Sequence, residues 1–169
     1  MGELRLFETH GTAVGTCGSP FPPTPVEAVM GYLHSSRLNT DAKRTVFRLL
    51  QMEVANENLE RLKSRLQQIK SLEQGWDGED ALPANSHIAD FVSHLLSHCK
   101  PSDLTDWSLF PNVNGTLLLQ KEDAGISIGL DEFSYFAESE DGDIGEDKVP
   151  LTTEAIVATI KRINLYAAQ

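Results

Sequence analysis

The sequence predicts an α+β protein: helices first, including one long helix, then a further helix, a meander of four antiparallel strands and a closing helix. Two observations carry this. Apolar residues recur at helical spacing from Met52 to Ile69 and from Ile88 to Cys99, whereas from Trp107 to Tyr135 they alternate at period two. The links between those alternating runs are too short for the crossover that a parallel pair needs, so the strands are antiparallel. A chain of 169 residues can bury a real core. It divides into an extended or mobile arm at 1–24, a helical hairpin with a long basic helix at 25–72, and an acidic α+β domain at 73–169.

Residues 1–24 hold Gly2, Gly11, Gly15, Gly18, Pro20, Pro22 and Pro23 with little periodicity, which predicts an arm whose docking residues are Leu4, Leu6 and Phe7. Thr24-Pro25-Val26-Glu27 is a capping box with proline at the first helical position, and it predicts a short helix to about Leu38. Asn39 or Thr40 caps a second helix. No proline or glycine follows until Gly75, so this helix is expected to exceed about thirty residues. Gly75 stops it, Pro83 precedes the next, and Asn85 or Ser86 caps a helix through Cys99 that Lys100-Pro101 closes. Ile88, Val92, Leu95, Leu96 and Cys99 share its core face, with Phe91 at the border.

The first strand starts at Trp107 and runs through Pro111, a residue that places it at an edge. Asn114-Gly115 predicts a type I′ hairpin turn, and Thr116 to Lys121 the return strand. Ile126, Ile128 and Leu130 mark the third strand, Phe133 and Tyr135 the fourth. Residues 138–147, "ESEDGDIGED", carry six acidic groups and read as a solvated loop. Thr152 caps the last helix, in which Ile156, Val157, Ile160, Ile163 and Leu165 are expected to cover one face of the sheet.

The formal net charge is −11 and unevenly spread. Residues 37–70 hold eight basic and four acidic groups, while residues 71–169 hold five basic and eighteen acidic. A basic helix thus joins an acidic body. Nucleic-acid binding without sequence preference wants a cationic face overall, so the body argues against it while the helix leaves it open. No apolar run of about eighteen residues and no secretory signal occur, which predicts a cytoplasmic protein without a membrane span. Cys17 and Cys99 lie in unlike contexts and are expected to stay reduced.

Catalytic signatures are missing. "GTAVGTCG" lacks the Lys-Ser/Thr of a phosphate loop and the spacing of a dinucleotide fingerprint, and no nucleophile elbow or zinc-protease motif occurs. Cys17 has no local group to lower its pKa and no assignable histidine. His87, His94 and His98 fall within about 40° of one another on their helix, so His94 and His98 have the spacing of a two-imidazole chelate. Asp90, about 60° away, is only a distant third ligand, and the favoured reading of the line is imidazoles covering Phe91 with wet nitrogens. The acidic run fits no calcium loop, because a register starting at Asp141 puts Thr152 where the bidentate glutamate belongs. No metal or cofactor is expected.

Met52, Ala55, Leu59, Leu62, Leu66 and Ile69 follow spacings of 3, 4, 3, 4, 3, a stripe at the coiled-coil period. Two readings stay open: the stripe packs on the chain's own sheet or first helix, or it pairs with another chain. Glu57 and Arg61 have the spacing of a favourable helical ion pair. Trp76, between Gly75 and Asp77-Gly78, reads as a half-buried plug whose burial stabilises the helix junction by about 3 to 5 kcal/mol. Asp77, Glu79 and Asp80 beside it have no partner for acid–base work. The candidate interaction residues are Met52, Leu59, Leu62, Leu66, Ile69 and Trp76.

"LEQGWDGEDALP", a helix, "FPNVNGTLLLQ" and "ISIGL" resemble a widespread group of small uncharacterised bacterial proteins in which a Leu-x-x-Gly-Trp-Asp-Gly entry precedes a helix and a Pro-x-x-x-x-Gly hairpin. Leu72, Gly75, Trp76, Asp77, Gly78, Pro83, Pro111 and Gly115 carry the match, across about residues 70–137. The chain departs from it at Leu119-Gln120, where an acidic-aromatic strand end is usual. The resemblance implies a compact α+β module without known catalysis, of a kind suspected in toxin–antitoxin or phage-related gene pairs.

The leading expectation is a non-enzymatic protein–protein interaction module, antitoxin, immunity or assembly-like, that binds another protein or itself through the long helix as a coiled-coil homodimer. A metal-dependent enzyme built on His87, His94 and His98 is the first alternative. A dimeric DNA-binding regulator using Arg61, Lys63 and Arg65 is the second, and nucleic acid is not the favoured partner.

Overall fold

A computed structural model describes residues 40–139 and 142–166. The arm, the capping box and Cys17 lie outside the described residues. Helix α1 spans Thr40–Lys70, α2 Ser86–His98 and α3 Thr153–Tyr166, with a short 3-10 turn at Pro101–Leu104. Between them run β1 Ser108–Pro111, β2 Leu117–Lys121, β3 Ala124–Ile128, β4 Glu132–Ser139 and β5 Gly142–Pro150. Each pairs antiparallel with the next in the order β1-β2-β3-β4-β5, so the architecture is α+β with an up-and-down meander.

Local chemistry sets the ends. The Asn85 side chain accepts from the His87 amide at 2.9 Å and opens α2. The Thr152 hydroxyl accepts from the Ala155 amide at 3.1 Å and opens α3. Each caps an amide that the first helical turn leaves without a partner. β1 is an edge strand, as Pro111 predicts.

Among the described residues the sheet has five strands rather than four. Most of the stretch expected to be a solvated loop is paired: Glu138 faces Asp143 across the β4–β5 ladder, Ala137 faces Ile144 and Phe136 faces Gly145. Backbone pairing needs no apolar side chains, and an edge strand that is exposed almost throughout lacks the alternation that would reveal it. Only Ile144 and Val149 of β5 reach the core.

The β1–β2 turn also differs from expectation. Gly115 has φ +81° but Asn114 stays at negative φ, so no type I′ turn forms. The Gly115 amide donates to Asn112 O at 3.0 Å and the Asn112 amide to Thr116 O at 2.9 Å, the pattern of a three-residue loop ending in a left-handed glycine. Leu165, expected on the core face of α3, is 71% exposed.

One face of the sheet is buried. Leu109, Leu117, Leu119, Ile126, Ile128, Phe133, Tyr135 and Ala137 form one cluster with Ile88, Val92, Leu95 and Leu96 of α2, Ile156, Ile160 and Ile163 of α3, and Leu62, Leu66 and Ile69 of α1. The pleat sends Phe110, Leu118 and Phe136 to the opposite face. Trp107, just before β1, is wholly buried, and its indole donates to Asn164 Oδ1 at 3.1 Å. Asn164 in turn accepts from Lys121 Nζ at 3.1 Å and donates to Asp103 O at 2.7 Å, tying α3 to the sheet and to the 3-10 turn.

Cys99, which ends α2, is buried, and this burial together with the nearby Asp103 carboxylate pushes its thiol up to about 11, while Lys161 pulls the other way. Between the unfolded and folded values the native state holds a proton that the unfolded chain has lost. This contribution to stability is therefore complete below about pH 8.5 and falls away as the pH rises toward the folded value. A Cys99→Ala chain is expected to show a shallower loss of stability over that window in urea titrations. Identical slopes for the two chains would contradict the assignment.

Candidate functional site

Helix α1 divides into two unlike halves. From Ala55 onward it is a core helix: Ala55, Asn58, Leu62, Leu66 and Ile69 are buried. From Thr40 to Val54 no residue is buried, and Phe47, Leu49 and Met52 are 42%, 58% and 57% exposed. At about 100° per residue the apolar side chains of the first half, Val46, Phe47, Leu49, Leu50 and Val54, centre roughly 130° round the helix from the core face of the second half. The apolar stripe changes sides along one continuous helix.

The predicted interaction residues are therefore separated. Leu62, Leu66 and Ile69 sit inside the chain's own core and Leu59 packs half-buried at its border. Met52 lies in solvent. Trp76 is half-buried in the turn after α1, and its indole donates to Leu82 O at 3.0 Å. That turn is tied by the Gly75 amide to Ala81 O at 2.8 Å and the Ala81 amide to Gly78 O at 3.0 Å, so the tryptophan closes the junction between α1 and α2.

The polar residues of α1 meet the edge of the sheet. Asn58 donates to the carbonyls of Leu104 and, at 3.4 Å, of Trp107. Arg61 donates to Asn58 Oδ1 at 2.5 Å and to Trp107 O at 3.3 Å. Arg65 reaches Leu109 O at 3.4 Å and Gln68 Oε1 at 3.3 Å. The expected Glu57–Arg61 ion pair does not form, because Arg61 turns to carbonyl and amide oxygens that the edge strand and Asn58 leave open. Between α1 and β1 lies a groove of about 300 Å³ lined by Arg61, Leu62, Ser64, Arg65, Gln68, Ser108, Leu109 and Phe110.

The histidine line is partly assembled. The rings of His94 and His98 lie 3.9 Å apart between centroids, His98 Nδ1 is 2.8 Å from His94 O, and His94 Nδ1 is 3.5 Å from Thr153 Oγ1. Asp90 is engaged elsewhere: Lys70 bonds it at 2.7 Å, and that hydrogen bond and charge hold its carboxyl below the usual range. Among the described residues no three His, Cys, Asp or Glu side chains gather as a metal site. No described helix is long and apolar enough to cross a membrane.

No family model, curated protein or solved structure matches this chain. Its chemistry must therefore be read from its own residues. The Arg61–Arg65 groove was not visible in the sequence, because it depends on side chains meeting an edge strand more than forty positions away. The one available signal, arginine rather than lysine at both i and i+4, is shared by many solvated helices.

Proposed function

We propose that the chain is a non-enzymatic protein-binding module that uses the first half of α1 as a docking helix on an acidic α+β body. The observation that carries this reading is the displaced apolar face of Val46, Phe47, Leu49, Leu50 and Val54. None of these residues is buried, and their face does not continue the face that builds the core. An amphipathic helix gains stability by burying its apolar face against another element, and a second chain is the partner that this reading supplies. At about 100° per residue Lys43, Glu53 and Glu57 lie on or beside this strip while Arg44 and Arg48 lie on the far side of the helix, so the strip carries charges of both signs, which suits a second copy of the chain. An antitoxin, immunity or assembly role is the biological form of this reading, in line with the resemblance at residues 70–137.

DNA binding gains less support, since Lys63 and Lys70 each hold a carboxylate at 2.7 Å and residues 71–169 carry eighteen acidic groups against five basic. Pairing with a second copy is the version to test. Sedimentation at high micromolar concentration is expected to give twice the 18.6 kDa chain mass, and Phe47→Asp with Leu50→Asp to return it to the single mass with thermal stability within about 1 kcal/mol of the parent. A parent that sediments at the single mass rules out the self-paired form.

A further inference from the structure

We infer that the groove between the second half of α1 and β1 binds an oxyanion carried on a flat apolar body, with Arg65 as the principal anion contact. This surface is separate from the docking half of the helix, and the inference does not depend on the protein-binding reading.

The argument starts from how the basic residues of α1 are partnered. Lys63 and Lys70 each hold a carboxylate, Glu60 and Asp90, at 2.7 Å. Among the described residues Arg61 and Arg65 hold only neutral oxygens: Asn58 Oδ1, Trp107 O, Leu109 O and Gln68 Oε1. Residues 71–169 carry eighteen acidic groups, yet none lines this groove. Neutral acceptors orient a guanidinium without cancelling its charge. Two arginines held in place beside an apolar floor therefore form a preorganised positive site.

The rest of the lining fits the same ligand. Ser64, Ser108 and the Gln68 amide add uncharged donors, Leu62 and Leu109 make the floor, and Phe110, 41% exposed on the outer face of β1, borders the groove at its rim, where a planar group can lie against it. Arg65 uses Nε and Nη1 for its bonds within the chain, and Nη2 has no hydrogen-bond partner among the described residues. The Arg61 side is the poorer half. A second hollow of about 230 Å³ on that flank is lined by Glu57 and Asp106, whose charges oppose an anion. Strand addition does not compete for the groove, because Arg61 and Arg65 already bond edge carbonyls and Pro111 has no N–H to offer.

The test is an amide-resolved NMR titration of the full chain with phenyl phosphate, benzoate and inorganic phosphate as probes. Phenyl phosphate or benzoate is expected to shift the Leu109 and Phe110 amides and the Arg65 Nε–H saturably, with a Kd in the millimolar range or tighter. Tighter binding of phenyl phosphate assigns a phosphate monoester and tighter binding of benzoate a carboxylate; either supports the site. Arg65→Gln is expected to weaken both aryl probes about tenfold, and Phe110→Ala to weaken them while leaving inorganic phosphate unchanged. The amide spectrum itself reports whether each variant is folded, and Arg65→Lys supplies a charge-preserving variant in which partial binding is expected. No saturable shift with any probe up to about 20 mM, or equal affinity in a folded Arg65→Gln chain, overturns the inference.

Discussion

Trp107→Ala is expected to cost about 3 to 5 kcal/mol, enough to leave the chain largely unfolded at modest temperature. The indole is wholly buried and is the largest of the fully enclosed side chains, so truncation opens a cavity at the meeting of α1, α3 and the sheet. It also removes the donor to Asn164 Oδ1, although Lys121 still reaches that oxygen at 3.1 Å. Trp107→Phe separates the two effects. It keeps most of the apolar area and loses the N–H, so about 1 to 2 kcal/mol is expected. Urea unfolding followed by circular dichroism checks both, and an alanine variant within about 1 kcal/mol of the parent would contradict the core assignment.

Gly115→Ala is expected to be the most damaging substitution in a turn, at about 2 to 4 kcal/mol. Its φ of +81° is strained for any residue with a Cβ, and a Cβ there would lie 2.9 Å from Pro83 O. The obstacle is backbone, so the turn must shift. That shift disturbs the bonds from the Asn85 amide to Gly115 O at 2.9 Å and from the Leu82 amide to Val113 O at 2.8 Å. These bonds hold the hairpin against the segment that starts α2 and that receives the Trp76 indole. Gly78→Ala is the comparison: its φ is +111° but a Cβ there meets nothing within 4 Å, so only the conformational part, about 1 to 2 kcal/mol, is expected. Equal losses at the two glycines, measured by thermal unfolding, would show that the contact with Pro83 is unimportant.

The sequence made some of this legible for identifiable reasons. Helix α2 could be read from its cap and its five apolar positions, since one flank faces solvent and the other the core. β1 to β4 could be read from their alternation, since only one face of the sheet is covered. β5 could not, because its partner recognises backbone rather than side chains and Asp143, Glu146 and Asp147 mask the pattern. In α1 the 3, 4 spacing from Met52 to Ile69 was real, but spacing does not say what fills the space opposite. Leu62, Leu66 and Ile69 are filled by the chain's own sheet and helices. The shift of the apolar face in the first half becomes clear only once the buried direction of the second half is known. The arginine groove required the three-dimensional meeting of residues 61–68 with 108–110.

The two ends of the sheet are finished differently, and this bears on how the protein behaves when crowded. Along β1 the outward carbonyls of Trp107 and Leu109 are occupied by guanidiniums, and Pro111 withholds an amide, so an approaching strand finds almost nothing to zip onto. Along β5 the exposed Asp143, Glu146 and Asp147 make two such margins repel each other. Sheet-to-sheet polymerisation is thereby discouraged at both margins, by saturation at one and by electrostatic aversion at the other. A chain that presents apolar residues on a helix thus keeps its strands from becoming a seed for fibres.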